Sequence, residues 1–302
     1  MPLVPAAPPQ PVPIIYSGFD YVAVDAERRR VYAAHTGGRA LLVVNADTGA
    51  VLGQVRVGLV AGVAVDPTNG HVYTGNSLYR TISEVDPATM KVVRSVDVDG
   101  IVDAVAYDSA LHRLYADEDD GTRIFVIDTQ TMKQVGTVPL PGHKPEFLAI
   151  DPATHKIYQN IDTLNEFVII DPQTLSVIQT VPTPELEHNH PLQIDAQLGH
   201  VYVAGVNGAL SVYDLNGKRL STIKFDGAVD QCSLDATRHN LACAGGGGLK
   251  VFNDSGQTMT LVDTVQIAQG VHTVGADQQT GHFWAVWASP QGDFVQSFKL
   301  KP

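Results

Sequence analysis

Cysteine and basic residues are scarce in this chain, and long apolar runs are missing. Its 302 residues include only two cysteines, Cys232 and Cys243, which are too few for a disulfide scaffold or a cysteine-rich zinc site. Lysine and arginine number 20 against 32 acidic residues, and the resulting net charge of −12 argues against nucleic-acid binding. No stretch approaches the roughly 18 consecutive apolar residues of a membrane-spanning helix, so we expect no membrane insertion.

Proline and alanine dominate residues 1–13. This segment has neither the basic start nor the apolar centre of a signal peptide. Because proline-rich tracts form neither helices nor central strands, we predict an extended linker over residues 1–13. Tracts of this kind often follow an export signal that has been removed. We therefore expect a periplasmic or secreted protein.

A repeat of about 42 residues runs through the rest of the chain. Its marker is an aspartate that follows a short apolar run, at Asp25, Asp66, Asp108, Asp151, Asp195, Asp235 and Asp277. Seven residues further on, six of the seven units carry an aromatic residue: Tyr32, Tyr73, Tyr115, Tyr158, Tyr202 and Trp284. Repeats of this length are typical of β-propeller blades.

Each unit contains about four short apolar runs separated by turn residues, and no segment has a sustained helical period. These units predict an all-β fold, a seven-bladed β-propeller of four-stranded blades that spans residues 14–302 as one domain. The last unit contains only three strands. We expect the N-terminal segment Val12-Pro-Ile-Ile-Tyr16 to supply the missing outer strand and to close the ring.

The segment Val72-Tyr-Thr-Gly-Asn76 is similar to the Tyr-Val-Thr-Asn type of propeller repeat. A wider pattern, an apolar strand followed by Asp-Pro, four residues and Val-Tyr, recurs over nearly the whole chain. The chain thus resembles the YncE-like family of seven-bladed propellers. The resemblance implies this fold and an exported bacterial protein, but no particular activity.

The repeat separates structural histidines from candidate functional ones. Six of the 11 lie four or five residues past a blade aspartate, and we interpret them as turn residues: His71, His112, His155, His200, His239 and His282. Five do not fit this position, namely His35, His143, His188, His190 and His272. All five map to loops at one face of the predicted ring, where the first strand of each blade begins.

Ionisable residues also recur five positions before the blade aspartate, at the mouth of the predicted central channel. Six of the seven blades carry one there: Asp20, Asp103, Glu146, His190, Asp230 and His272. Crowded carboxylates repel one another and burial raises their pKa, so a bound cation would stabilise this mouth. We predict that His190 and His272, with carboxylates of Glu146, Asp230, Asp20 or Asp103, bind a divalent transition metal ion. His188 and His35 are expected to orient these ligands or to form an alternate ligand pair.

Other interpretations of the mouth stay open. A hydrated channel mouth needs no ligand, and a cationic small molecule would satisfy the same charges as a metal ion. A metal-dependent hydrolase or lyase, similar to propeller lactonases, would use Glu146 or His188 as the proton carrier. The chain has no Gly-x-Ser-x-Gly or His-Glu-x-x-His motif that would favour a known catalytic family. We therefore expect a binding protein first and an enzyme second.

Three further features receive structural interpretations. The stretch Asp117-Glu-Asp-Asp120 is expected to be a solvated loop, with a calcium site as the alternative. Gly245–Gly248 is expected to form a tight turn that leaves space at the top face. Cys232 and Cys243 are expected to be two buried thiols rather than a cross-strand disulfide. Protein docking, a third class of function, would need an exposed apolar face, to which Tyr79, Phe147 and Trp287 could contribute.

Overall fold

The computed structural model describes residues 1–13 and 17–301. These residues form seven antiparallel sheets and one short 3-10 helix, Asp162–Leu164. Six sheets have four strands in simple sequence order, and the seventh combines strands from both ends of the chain. The prediction of an all-β, seven-bladed propeller with four-stranded blades is confirmed.

The strands are numbered in chain order. The N-terminal strands are β1 (Leu3–Pro5) and β2 (Gln10–Val12). Blade one contains β3 (Val22–Asp25), β4 (Arg30–His35), β5 (Ala40–Asn45) and β6 (Val51–Arg56). Blade two contains β7 (Val60–Val65), β8 (Val72–Asn76), β9 (Thr81–Asp86) and β10 (Lys91–Asp97). Blade three contains β11 (Val102–Asp108), β12 (Arg113–Glu118), β13 (Arg123–Asp128) and β14 (Lys133–Pro139).

The remaining blades follow the same order. Blade four contains β15 (Pro145–Ile150), β16 (Ile157–Ile161), β17 (Glu166–Asp171) and β18 (Ser176–Pro182). Blade five contains β19 (Asn189–Asp195), β20 (His200–Gly205), β21 (Ala209–Asp214) and β22 (Arg219–Lys224). Blade six contains β23 (Gln231–Asp235), β24 (Asn240–Gly245), β25 (Gly248–Asp254) and β26 (Met259–Gln266). Blade seven contains β27 (Thr273–Ala276), β28 (Phe283–Ser289) and β29 (Gly292–Leu300).

The repeated aspartate forms the first turn of every blade. Its side chain accepts a backbone N–H from two or three residues ahead in all seven cases, as when Thr68 donates to Asp66 at 2.9 Å. Two turn histidines also bond back to the aspartate of the preceding blade: His155 to Asp108 at 2.8 Å and His239 to Asp195 at 2.6 Å. The aspartate therefore shapes its own blade and, in these pairs, joins it to the next.

The six aromatic residues of the repeat are all buried, with at most 2% of each side chain exposed. They stand on the second strand of their blades, where they pack between neighbouring sheets. Burial of large rings at every repeat explains why the aromatic position recurs.

The ring is closed by the N-terminal segment, as predicted, but by different residues. β1 and β2 both pair antiparallel with β29, so residues that we expected to form a linker serve as the outer strand of blade seven. Pro5 and Pro11 fit there because an outermost strand pairs on one side only and needs fewer N–H donors. Of the predicted closing segment, Val12 lies in β2, and residues 14–16 lie outside the described residues.

Cys232 and Cys243 form a disulfide, so the expectation of two thiols is wrong. The two residues are direct partners in the β23–β24 ladder of blade six. Directly opposite positions of an antiparallel pair bring their side chains to the same face, which the spacing in sequence does not reveal.

Candidate functional site

Local backbone irregularities place the ionisable residues at the channel mouth. In blades three, four and five the ladder between the first two strands shifts register at the residues that hold Asp103, Glu146 and His190. Such β-bulges redirect a side chain away from the regular alternation of a strand. Blade two has the same shift at Ala61, which carries no charge. The bulge is thus part of the repeat, and the residue type at the bulge varies between blades.

Asp103 and His190, together with ionisable residues of other blades, line a cavity of about 450 Å³, which we call the mouth cup. The cup is lined by Ser17, Gly18, Phe19, Asp20, Tyr21, Thr36, Gly37, Leu59, Asp103, His190, Asp230, Gln231 and His272. Tyr21 separates it from a smaller internal cavity of about 70 Å³, because the same side chain lines both. A cavity of this size is in the range that holds a small molecule.

Tyr21 crosses from blade one towards blade four. Its hydroxyl lies 3.3 Å from the carbonyl oxygen of Glu146 and 3.4 Å from Asp103 Oδ2, and its ring lies 5.7 Å from the ring of Phe147. Only 7% of the residue is exposed. Burial raises the pKa of the Tyr21 phenol well above its usual value, so the hydroxyl stays protonated. The cup therefore has a floor that donates hydrogen bonds.

On one side of the cup, charges of alternating sign form a row. Lys144 Nζ lies 3.0 Å from Glu146 Oε1, and His190 Nε2 lies 2.8 Å from Glu146 Oε2 and 3.3 Å from Asp230 Oδ1. His272 Nδ1 ends the row 2.9 Å from Asp230 Oδ2. Blades four to seven thus neutralise their own charges.

The titration of this row follows from its contacts. Burial disfavours charge on His190, but the hydrogen bond to Glu146 and the negative charges of Glu146 and Asp230 together outweigh it and raise the pKa of the imidazole. The hydrogen bond to Asp230 raises the pKa of His272. Burial likewise opposes ionisation of Glu146 and Asp230, but the neighbouring imidazoles lower the pKa of both carboxyl groups overall. The row is stable as charged pairs.

Beside this row, partly or fully buried carboxyl groups have no cationic residue in direct contact among the described residues, although the charges of His272 and His190 act on Asp20. Burial raises the pKa of Asp20 to about 6, although Gln231 Nε2 donates to its Oδ1 at 2.9 Å. Burial and the neighbouring carboxylates raise the pKa of Asp103 well above its usual value. Asp117, with no exposed surface, behaves in the same way, although Ala104 N–H donates to it at 2.7 Å. This side of the cup carries uncompensated acidity.

The predicted metal ligands meet only in part. Glu146, His190, Asp230 and His272 come together, but within the described residues no group of three or more histidine, cysteine or acidic side chains is arranged to hold a metal ion. The physical reason is the ion-pair row, because each imidazole nitrogen that faces the carboxylates carries a shared proton. A metal ion would have to displace these protons.

His35 and His188 lie away from this group. His35 is fully buried, stacks on Phe19 with ring centroids 4.4 Å apart, and places Nε2 2.7 Å from Asp293 Oδ2. The side chain of His188 is 65% exposed and lies 3.0 Å from Asp162. Lys144 links the two regions, since it contacts Glu146 and lies 3.8 Å from Asp162. The two predicted proton carriers, Glu146 and His188, therefore have separate partners.

Ser17, His35 and Asp293 have the residue types of a catalytic triad but not its geometry. Ser17 Oγ donates to Asp293 Oδ2 at 2.5 Å, and both residues contact the same imidazole nitrogen, Nε2. A triad requires the serine and the aspartate on opposite ring nitrogens. These contacts tie the start of blade one to blade seven.

Three residues that line the cup were not singled out from the sequence, Phe19, Tyr21 and Gln231, and neither was Lys144, which pairs with Glu146. Asp117 was expected in a solvated loop, but it belongs to β12 and is fully buried. The repeat contains the signal that could have found it. Nine residues past the blade aspartate, five of the other units carry alanine, glycine or valine, so an acid there is exceptional.

The predictions for the other loops have mixed outcomes. Gly246 and Gly247 both have positive φ in the turn between β24 and β25 and line a further cavity of about 570 Å³, which adjoins the cup at His272. Of the three residues considered for protein docking, only Tyr79 is exposed. Phe147 packs against Tyr21 in the channel, and Trp287 is buried against Phe294.

Comparison with known proteins supports the fold alone. No family model and no curated protein matches the chain. Solved structures do match: a chain of hydrazine synthase from Kuenenia stuttgartiensis has a TM-score of 0.81 and 16% identity, with 95% of this chain and 97% of that chain covered.

Two other structures agree with it. A chain of the mitotic checkpoint complex has a TM-score of 0.84 and 14% identity, covering 99% of this chain and 92% of that one. The β-propeller domain of Cps50 (Swd1) from Myceliophteria thermophila has a TM-score of 0.78 and 11% identity, covering 97% and 100%. The chain is a seven-bladed β-propeller.

At these identities the likeness establishes architecture and carries no residue roles. The YncE-like resemblance stays a prediction. In the part of the chain that the structure describes, no helix has the length and apolar character needed to span a bilayer.

Proposed function

We propose that this propeller is a binding protein for a small organic cation, held in the mouth cup against Asp20 and Asp103. The observation that carries the proposal is the uncompensated acidity of this side of a cavity of about 450 Å³. A cation supplies the missing positive charge and lowers the repulsion between the two carboxyl groups.

The rings in the cup favour an ammonium ion. Phe19 and Tyr21 line the same cavity as the carboxyl groups, and aromatic faces attract cations as well as apolar substituents. The cavity is also far larger than a bare metal ion requires. Carboxylates together with aromatic rings are a common surround for alkylated amines.

Binding should release protons. Asp20 has a pKa of about 6 and that of Asp103 is higher than usual, so a cation that stabilises their ionised forms shifts both equilibria towards loss of a proton. Affinity is therefore expected to rise with pH through the region near pH 6 and to weaken below it.

Isothermal titration calorimetry with tetramethylammonium and with a linear alkyl diamine tests the proposal. Titrations at pH 6, near the pKa of Asp20, in two buffers of different ionisation enthalpy measure the protons released. The double variant D20N/D103N should lose binding, while D226N, which removes an exposed charge from the loop before β23, should retain it. Equal binding by the wild type and D20N/D103N, or no heat with either amine, would refute the proposal.

A divalent metal ion at His190 and His272 is the second candidate. It is supported by the nitrogen and oxygen atoms of His190, Glu146 and Asp230, which lie 2.8 and 3.3 Å apart, similar to the spacing of donor atoms around one ion. Direct titration with Zn²⁺ and with Mn²⁺ separates the candidates. H190A/H272A should abolish metal uptake, whereas D20N/D103N, which leaves His190, Glu146 and Asp230 in place, should retain it.

We also propose that the protein works outside the cytoplasm. The cross-strand disulfide of blade six supports this location, because such bonds persist in oxidising compartments and are rare in the cytosol. Alkylation of free thiols under acid quench, in the cells that make the protein, should find Cys232 and Cys243 protected. Two reactive thiols would contradict the proposal.

A further inference from the structure

A second open feature of the surface is the groove between blades one and two. It has a volume of about 460 Å³ and lies between the end of β6 and the outer face of β9 and β10. Its polar lining consists of Arg39, Arg56, Tyr79, Thr81, Ser83 and Ser95. It shares none of its lining residues with the mouth cup.

Comparison of the blades explains why this groove is open. Three positions before the end of their third strand, blades one, three and four place Leu42, Phe125 and Val168, all fully buried between sheets. Blade two has Ser83 there, a much smaller side chain whose hydroxyl bonds to Ser95 at 3.0 Å. Ser83 leaves space and hydroxyl groups where these three blades have apolar packing.

Blades five and six also have polar residues at the equivalent position of the strand pairing, but other side chains accompany them. Ser211 donates to Glu185 at 2.7 Å. Lys250 lies 5.8 Å from the ring centroid of Phe225. In blade two Ser83 is accompanied only by the small hydroxyl side chain of Ser95.

The groove also gathers the unpaired arginines of the chain. Of 11 arginines, eight bond to a carboxylate or a carbonyl oxygen through their side chains. The other three, Arg39, Arg56 and Arg80, have no ion pair or side-chain hydrogen bond within the described residues, and all three are exposed. Arg39 and Arg56 line the groove, and Arg80 follows Tyr79 in the chain. In a protein of net charge −12, three unneutralised arginines at one place form a local basic patch.

Two exposed apolar side chains lie next to this basic patch. Leu78 and Tyr79, on the turn between β8 and β9, are 47% and 62% exposed. Tyrosine and arginine are the residue types that dominate the energy of protein interfaces, and an exposed tyrosine needs little ordering on binding.

We propose that the groove between blades one and two docks an acidic segment of a partner protein. Aspartate or glutamate side chains of the segment pair with Arg39, Arg56 and Arg80. An apolar residue of the segment packs on Leu78 and Tyr79, and its backbone meets the hydroxyl groups of Thr81 and Ser83. This surface is independent of the mouth cup and of its cation.

An acidic peptide fits this surface better than a nucleic acid. Polyanion binding needs many phosphate contacts along an extended basic face, whereas this patch has three arginines in a strongly acidic protein. A short segment can contact the patch while the rest of its partner avoids the negative surface.

The test measures fluorescence anisotropy of a labelled peptide of about ten residues, rich in glutamate with one central leucine and one tyrosine. Its glutamine counterpart and a single-stranded oligonucleotide of equal charge serve as comparison probes. Variants R39E/R56E and Y79A test the groove. K133E/K224E is the matched control, because it makes the same change in net charge at two exposed lysines elsewhere.

The wild type should bind the glutamate peptide and not its glutamine counterpart, with an affinity that falls as salt rises from about 50 to about 300 mM. R39E/R56E should lose about tenfold or more in affinity, Y79A should lose a smaller factor, and K133E/K224E and D20N/D103N should match the wild type. Circular dichroism confirms that each variant is folded.

Three outcomes overturn the proposal. The first is absence of peptide binding by the wild type at about 1 mM. The second is an equal loss in R39E/R56E and K133E/K224E, which would indicate general electrostatics. The third is tighter binding of the oligonucleotide than of the peptide, which would assign the patch to phosphate.

Discussion

Replacing Asp20 with asparagine should stabilise the protein, by an amount that grows with pH between about 3.8 and 6. Asp20 lies in the wall of the mouth cup, where burial raises its pKa from 3.8 to about 6. The folded state therefore holds a proton on Asp20 more tightly than the unfolded chain does. Below about pH 3.8 Asp20 is protonated in both states and does not lower the free energy of unfolding. As the pH rises to about 6, ionisation of Asp20 lowers this free energy progressively, and above that pH the loss is constant.

The shift sets the size of the effect. A rise in pKa from 3.8 to about 6 corresponds to about 3 kcal/mol, at 1.36 kcal/mol for each pKa unit. Water in the cup screens part of this cost, so we expect D20N to raise the free energy of unfolding by about 1.5 to 3 kcal/mol at pH 8. The asparagine oxygen can still accept the hydrogen bond from Gln231.

Urea denaturation at pH 4.5, 6 and 8 measures the effect. The gain should be about a third of its full size at pH 4.5, nearly complete at pH 6 and complete at pH 8, while D226N should show no such trend. An equal gain at all three pH values, or a loss at pH 8, would refute the assignment of a charged and poorly solvated Asp20. A stabilised variant that no longer binds amines would identify Asp20 as a residue whose role in binding reduces stability.

Three further predictions concern the ring itself. Deletion of residues 1–13 removes β1 and β2 and exposes the edge of β29, so the melting temperature should fall and light scattering should detect association; an unchanged melting temperature would contradict closure by these strands. The free energy of unfolding of C232A/C243A, measured by urea denaturation, should be about 3 kcal/mol lower than that of the wild type, as expected for a disulfide spanning 11 residues, and a reductant should lower the free energy of unfolding of the wild type to the same value. The variant R29A should lose about 3 kcal/mol because it leaves the buried carboxylate of Asp277 unpaired, and the added change D277N should recover part of the loss.

The fold was predictable because the repeat is a physical unit. Every blade uses the same first turn and six of the seven bury the same ring, so an aspartate and an aromatic residue recur at fixed spacing. Closure by the N-terminal segment was predictable, since the last unit contains only three strands and its blade needs a fourth. The residues that provide the outer strand could not be predicted. Proline has a low strand propensity in general, whereas an outermost strand, which pairs on one side only, tolerates it.

The site was predictable in position but not in chemistry. The sequence placed Glu146, His190, Asp230 and His272 at one mouth, and the structure brings them together. It could not show that they pair with one another, since pairing depends on bulges that direct each side chain across the channel. Which carboxyl groups pair with imidazoles and which do not also depends on the positions of the blades around the ring, which the sequence does not show.

The same limit explains His35 and the cysteines. His35 did not fit the turn position and was assigned to the mouth, but it is buried behind Phe19. Cys232 and Cys243 stand opposite each other only because of the strand register in blade six. Spacing along the chain identifies which residues are unusual, and cross-strand register decides which of them meet.

The hydroxyl of Tyr21 reaches from blade one to the backbone of blade four, on the far side of the ring. This hydrogen bond crosses the ring, so blades one and four cannot separate at this level without breaking it. The cup is consequently held rigid before any ligand arrives, and little ordering remains for binding.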